Sequence, residues 1–181
     1  MKFNLYMPFW YAGNILMVVG GSTHNYYSVT DKGFAISLKS SVAVPSCLES
    51  ICDYPNYVYS PISAIFDDGL PTICGGRKHS SPHEYYSQCF KFNYSNAWEA
   101  AGTRNYKSVH VGFSYLPNWG LVESGGYCDA DCGNYPDHGF KSLEFSEDGE
   151  TWETIPTDIP GQQSSVLPRV LPPDMFDIKE T

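Results

Sequence analysis

Leu70-Pro71-Thr72-Ile73-Cys74-Gly75-Gly76 is an apolar run that stops on two glycines, and the chain repeats this arrangement on either side of it. Upstream stands Ile15-Leu16-Met17-Val18-Val19-Gly20-Gly21, and downstream Leu121-Val122-Glu123-Ser124-Gly125-Gly126, at spacings of 55 and 50 residues. A single Gly-Gly is a common loop dipeptide and carries little. Three of them, each closing an apolar stretch, mark a repeat whose unit is a small sheet, because no helical periodicity intervenes. After each pair comes a polar loop and then alternating apolar residues: Phe34/Ile36/Leu38, Phe90/Phe92 and Leu143/Phe145. That alternation is the pattern of a strand with one buried face. In the second and third units a short turn then leads to a tryptophan, through Asn93-Tyr94-Ser95-Asn96-Ala97-Trp98 and Ser146-Glu147-Asp148-Gly149-Glu150-Thr151-Trp152. Asp148-Gly149 supplies the positive-φ chemistry that tight hairpins require, and each Trp is expected to lie against the next sheet in the series.

A hydrophobic strand ending in Gly-Gly, an aromatic-bearing strand and a spaced Trp resemble the Kelch repeat over most of residues 15–155. The resemblance implies that Gly20, Gly21, Gly75, Gly76, Gly125 and Gly126 end the second strands of blades, and that Trp98 and Trp152 lie near the start of the fourth. The first unit departs from the pattern: no Trp follows Leu38, and Val42 or Val44 stands in its place. The expected fold is all-β, a Kelch-type β-propeller fragment of about three four-stranded blades. It divides as a partial blade over 1–52, blades over 53–104 and 105–160, and a Pro-rich tail or start of a further blade over 161–181. Strands are predicted at Ile62-Phe66, Leu70-Cys74, Gln88-Phe92 and Ala97-Ala101, then at Ser108-Tyr115, Gly120-Ser124, Lys141-Phe145 and Thr151-Ile155. A Kelch ring resembles a closed disc of about six blades, so about three form an open arc that further blades would complete.

Composition agrees. Of 181 residues, 15% are aromatic, and 14 tyrosines, 16 glycines and 13 prolines favour strands and turns. A formal charge of -9 with arginine only at 77, 104 and 169 gives no basic surface for nucleic acid or an anionic membrane. Lys2 precedes an apolar stretch, but Asn4, Tyr6, Pro8, Tyr11, Gly13 and Asn14 interrupt it, so no signal-peptide core is read there. No run of about 18 apolar residues predicts membrane insertion.

The six cysteines are an even, closely spaced set, which suits disulfides in an extracellular or secreted protein. Cys74 and Cys89 fall on strands expected to pair, Cys128 and Cys132 close a tight loop, and Cys47 and Cys52 remain to pin the connection between units one and two. Asn93-Tyr94-Ser95 is an N-glycosylation sequon in a turn and favours the same compartment.

The constellations for catalysis are weak. Ser146 to Trp152 resembles the Asp-box of sialidases, one residue short, and that motif is a structural turn remote from the chemistry. A sialidase also needs three arginines convergent on a carboxylate, whereas Arg77, Arg104 and Arg169 occupy unrelated settings. Galactose-oxidase-like enzymes carry copper on tyrosines and histidines, but His24, His79, His83, His110 and His138 are scattered. Pro82 spoils a helical His79/His83 ligand face, which leaves a solvated loop after Gly76. Asp129, Asp131 and Asp137 lack the spacing of a calcium loop, and Cys128, Cys132 and His138 are one ligand short for zinc. No cofactor, metal or catalytic residue is therefore assigned. The expected function is a non-catalytic scaffold that binds a protein partner, or a glycan, through its loop faces, and the alternative is a sugar-active propeller enzyme. The candidate contact residues are Tyr26, Tyr27, His83, Tyr85, Tyr86, Tyr127 and Tyr135, aromatic side chains that bury much area at low entropic cost.

Overall fold

The computed structural model describes residues 9–12, 15–20, 31, 33–37, 54–78, 84–93, 97–109, 111–116, 119–126, 128 and 142–156. Every regular element among them is a strand. Strands β1 (Phe9–Ala12), β2 (Ile15–Val19) and β3 (Gly33–Ser37) form a three-stranded antiparallel sheet in chain order. The chain continues through β4 (Ile62–Ile65), β5 (Pro71–Cys74), the two-residue pair β6 (Arg77–Lys78) and β7 (Glu84–Tyr85), β8 (Gln88–Asn93) and β9 (Ala97–Thr103). Of these, β4-β5-β8-β9 form a second antiparallel sheet, and β6-β7 a separate hairpin inserted in its middle connection. The third sheet is β10 (Gly112–Leu116), β11 (Gly120–Ser124), β12 (Ser142–Ser146) and β13 (Glu153–Pro156), again in chain order. Strand β1 lies beside β4, and β4 beside β10, so the sheets fan outward from their first strands as blades.

The strands that end on glycine pairs match the patterning that announced them, whereas β10 starts at Gly112, four residues later than predicted. β4 alternates buried and half-buried residues, whereas β5, the second strand of its blade, is buried along its whole length. Gly75 and Gly76 follow β5 with φ of 67° and 91°, and Gly125 and Gly126 follow β11 with 68° and 86°. Gly20, after β2, has φ 72°. Only glycine enters this region at little cost, so the strands stop where the glycines stand. Strand β1 lies within the interrupted apolar stretch near the N-terminus, where the sequence predicts no strand; it pairs with β2 in register from Phe9↔Val18 to Ala12↔Ile15.

The core lies between blades. Val19, Tyr54, Val58, Ile73 and Phe92 form one cluster, with Ile65, Phe90 and Trp98 packed against it. Ile62, Ala64, Phe66, Cys74, Cys89, Leu121 and Trp152 form the next, joining the second blade to the third. Trp98 and Trp152 therefore face the preceding blade, opposite to the direction expected, because the inward side of β9 and β13 looks back along the chain. Full burial of a side chain such as Ile73 stabilises by about 1.5–3 kcal/mol.

Cys74 and Cys89 stand directly opposite in the β5-β8 register and form a disulfide, as their placement predicted. Cys128 is also disulfide-bonded, and Cys47, Cys52 and Cys132 lie outside the described residues.

At the far tip of the third blade, the Asp-box-like turn satisfies its own backbone. The Ser146 hydroxyl accepts from the Gly149 N–H at 2.8 Å, and Asp148 Oδ1 accepts from the Glu150 and Thr151 N–H groups at 2.7 and 2.9 Å. Burial would raise the Asp148 pKa, but these donors and the nearby Lys91 outweigh it, and the carboxyl titrates below its ordinary value. The turn also clasps the second blade. A Cβ at Gly102 on β9 would strike the Glu150 backbone, and one at Gly149 would strike the Phe66 ring. Lys91 on β8 bridges Asp68 at 2.9 Å and Glu150 at 3.1 Å, and the Tyr115 hydroxyl donates to Asp67 at 2.6 Å. Removing the acceptor with Asp148→Ala should lower stability by about 1–2 kcal/mol in urea titration.

Candidate functional site

In an antiparallel meander, successive connections emerge at alternate ends. The glycine-pair connections, from β5 to β8 and from β11 to β12, therefore share one end with the crossover from β9 to β10. That end is tightly built. A Cβ at Gly75 would meet the Arg104 guanidinium, and one at Gly76 would meet Val58 and the Tyr59 carbonyl. The paired strands β6 and β7 rise from it, so Arg77–Lys78 and Glu84–Tyr85 are held in a ladder, while residues 79–83 of the expected solvated loop lie outside the described residues. Arg77 and Tyr59 exchange backbone hydrogen bonds of 3.0 and 2.9 Å. The Arg77 guanidinium lies 5.2 Å from the Tyr59 ring centroid and 5.9 Å from that of Tyr85, and Nη1 donates to the Tyr85 hydroxyl at 3.4 Å. Tyr85 packs with Val109 and Cys128.

Above this base the rim is open. Tyr57 is 47% exposed, and the Lys78 ammonium lies 5.9 Å from its ring centroid. Tyr86 is half-buried; burial, and then the Glu84 carboxylate, push its hydroxyl pKa up to about 12. Glu84 and Lys107 are exposed at the same end.

Beneath the rim, the junction of the second and third blades holds a charged cluster. Arg104 has a side chain with no exposed surface; its Nε donates to Glu123 Oε1 at 2.9 Å, its Nη2 donates to the same oxygen, and Nη2 also donates to the Ser108 hydroxyl at 2.7 Å. Glu144 lies opposite Glu123 in the β11-β12 register, 3.6 Å from Arg104 Nε, and accepts the Asn105 N–H at 2.7 Å. Burial raises the Glu123 pKa well above the ordinary carboxyl range, Arg104 opposes this, and the facing Glu144 adds to it.

The blade register shows where this cluster comes from. Ile62 faces Cys74 and Gly112 faces Ser124, each beside the first glycine of its pair, so the two blades align strand for strand. The Tyr54 N–H bonds Asp31 and the Arg104 N–H bonds Ser87, which places Tyr54 and Arg104 at one position of the repeat. On the same alignment Val58 corresponds to Ser108, Ile73 to Glu123 and Phe90 to Glu144. One junction thus fills this position with apolar and aromatic groups, where the Tyr54 ring meets Phe90 at 5.4 Å and Trp98 at 5.1 Å. The next fills it with ions.

Of the residues proposed from sequence as contacts, Tyr85 is buried at 5% exposure and serves as foundation, because its ring closes over Arg77 and Val109. Tyr86 lies at the rim. Tyr26, Tyr27, His83, Tyr127 and Tyr135 fall outside the described residues, as does Gly21. Asn93, the sequon residue, ends β8, where its amide donates to Glu99 and its carbonyl oxygen accepts the Ala97 N–H at 3.2 Å. Sequence reasoning missed Tyr57 and Trp119, which is 69% exposed on the β10-β11 turn at the opposite end. Pro117-Asn118-Trp119-Gly120 was the available signal for the latter. Among the described residues no cluster of three His, Cys, Asp or Glu could hold a metal ion, and no helix is long and apolar enough to cross a membrane.

These blades, radial and joined through shared cores, make the chain a β-propeller-type protein of the all-β class. No family model matches it, and no curated protein matches it. Among solved structures it is similar to one described as the structure of YjhT, also of propeller type, with a TM-score of 0.67 and 12% identity over 86% of this chain. The chain spans 53% of that structure's length.

Replacing Arg104 by Met leaves two buried carboxylates facing each other without their cation. The variant should lose about 3–5 kcal/mol in chemical denaturation.

Proposed function

We propose that the chain is a Kelch-type propeller arc that binds a protein partner, without catalysis, through its glycine-pair end. The observation that carries this reading is the contrast at that end between a locked base and an open rim. Tyr59, Arg77 and Tyr85 are buried in mutual contact, while Tyr57 and Lys78 stand above them. A rigid base holds aromatic anchors in place, which lowers the entropy lost on binding. The sialidase form of the sugar-processing alternative draws less support, since it needs arginines free to clamp a carboxylate. Arg104 is committed to Glu123, and Arg77 is stacked between tyrosines. A glycan remains a compatible ligand for the same aromatic rim. The Cys74–Cys89 bridge and the second disulfide at Cys128 favour a secretory or extracellular location, with Asn93 as the glycan acceptor. Tyr57→Ala combined with Lys78→Ala should weaken capture of the partner at least tenfold in surface binding, with an unchanged melting temperature, and Trp119→Ala at the opposite end should not. Equal loss from both would move the interface elsewhere, and turnover of a sugar substrate would overturn the non-catalytic reading.

The arc also offers a seat for another blade. Leu116, Val122, Leu143 and Phe145 occupy, in the third blade, the register positions of Phe66, Thr72, Cys89 and Lys91, on the side of the second blade that the third covers. They are half-buried, and Ile155 beside them is 46% exposed. The occupant is a further blade of a larger propeller, of which this chain supplies about half, as its 53% span of the YjhT structure suggests. The isolated chain should therefore bind an apolar fluorescent dye, and Phe145→Lys should abolish most of the signal. A dye-silent monomer would count against an open face.

A further inference from the structure

We infer that the junction between the second and third blades is a proton-binding site, at which Glu123 and Glu144 hold one proton between them. Four features of the geometry lead there. The two glutamates are directly opposite in the β11-β12 register, so their side chains leave the sheet on the same face. Their side chains are 3% and 2% exposed, too little for water to solvate two charges. A single guanidinium, Arg104, serves both, which leaves one negative charge in excess if both are ionised. Finally, Glu123 Oε2 and Glu144 Oε2 are both buried without a hydrogen-bond partner. Two adjacent acceptors cannot satisfy each other. One proton turns one of them into a donor, gives the other a hydrogen to accept, and makes the cluster neutral.

The charged and titratable groups facing this pair are few. Arg104 reaches it from the crossover between blades, and each glutamate faces the other across β11 and β12; Ser108 and the Asn105 N–H complete the shell. Lys91 and Asp148 belong to the opposite end of the blades, where their partners are Asp68, Glu150 and the turn backbone. Nothing among the described residues supplies a second cation. The site replaces the apolar filling of the previous junction, so the protein holds two blade contacts of the same shape and different pH response.

The consequence has a definite sign. The raised pKa of Glu123 means that the folded protein binds a proton which the unfolded chain releases above the ordinary glutamate range. Stability contributed by the site is complete below that range and is lost as pH rises toward the raised value. While only the folded state holds the proton, the folded-to-unfolded ratio falls up to tenfold per pH unit from this site alone.

The test compares the wild type with Glu123→Gln, whose amide donates to Glu144 as the protonated acid would. Chemical denaturation is followed between about pH 5 and pH 8 for both. The slope of the wild type should exceed that of the variant by close to one proton, and the variant should be the more stable at the alkaline end. Equal slopes would overturn the inference. Infrared difference spectroscopy of the wild type gives an independent reading that does not rely on the variant folding. A protonated carboxyl band should persist at neutral pH and disappear when the medium is made alkaline, and absence of the band at neutral pH would equally overturn it.

Discussion

A four-stranded sheet standing alone has two faces and water on both, so no blade of this chain is stable by itself; each is held by the blade beside it. The structure meets this constraint with cores that belong to junctions and not to blades. Val19, from the first sheet, shares a cluster with Ile73 and Phe92 of the second, and Leu121 and Trp152 of the third complete the cluster begun by Ile62 and Phe66. Everything else follows from how closely neighbouring sheets approach. The glycines at 75, 76 and 102 stand where a side chain would push a neighbour away. The crossover residues Tyr54 and Arg104 reach back to bond the backbone carbonyls of Asp31 and Ser87, just ahead of β3 and β8.

Two junctions solve the same packing problem with opposite chemistry. The first stacks Tyr54 edge-on against Phe90 and Trp98, and among the described residues this layer is filled by apolar and aromatic side chains. The second places Arg104, Ser108, Glu123 and Glu144 in the corresponding positions. An apolar junction accepts many apolar partners, whereas a buried ion set accepts only the surface that completes it. In a chain of similar blades, the charged layer identifies which two belong together.

The sequence disclosed the strands well and the side-chain roles less well. Apolar alternation and glycine pairs located β5, β8, β11 and β12 within a residue or two, and the facing positions of Cys74 and Cys89 announced their bond. The pairs β6 and β7 were hidden because two residues are too few to show a period, and Arg77 and Lys78 read as solvent-facing. Arg77 is buried by two tyrosines, one 18 residues before it and one 8 after, a contact that exists only once the hairpin closes. Glu123 was visible as one acidic residue in an apolar strand, and only pairing with β12 shows that Glu144 faces it. The rim residue Tyr57 gave no signal, since exposure depends on how the crossover lies over the second blade.

The placement of the Cys74–Cys89 bridge has a consequence for assembly. Its two cysteines are 1% and 0% exposed, on the face of the second blade that the third blade covers. Sulfur chemistry requires a thiolate to reach a sulfur atom, and neither enzyme nor small thiol reaches one sealed between sheets. Oxidation therefore has to precede docking: the second blade is stapled first, and the third closes over a finished bond. In the mature protein the same order runs backwards, and a reductant meets this bond only in molecules whose second and third blades have already parted.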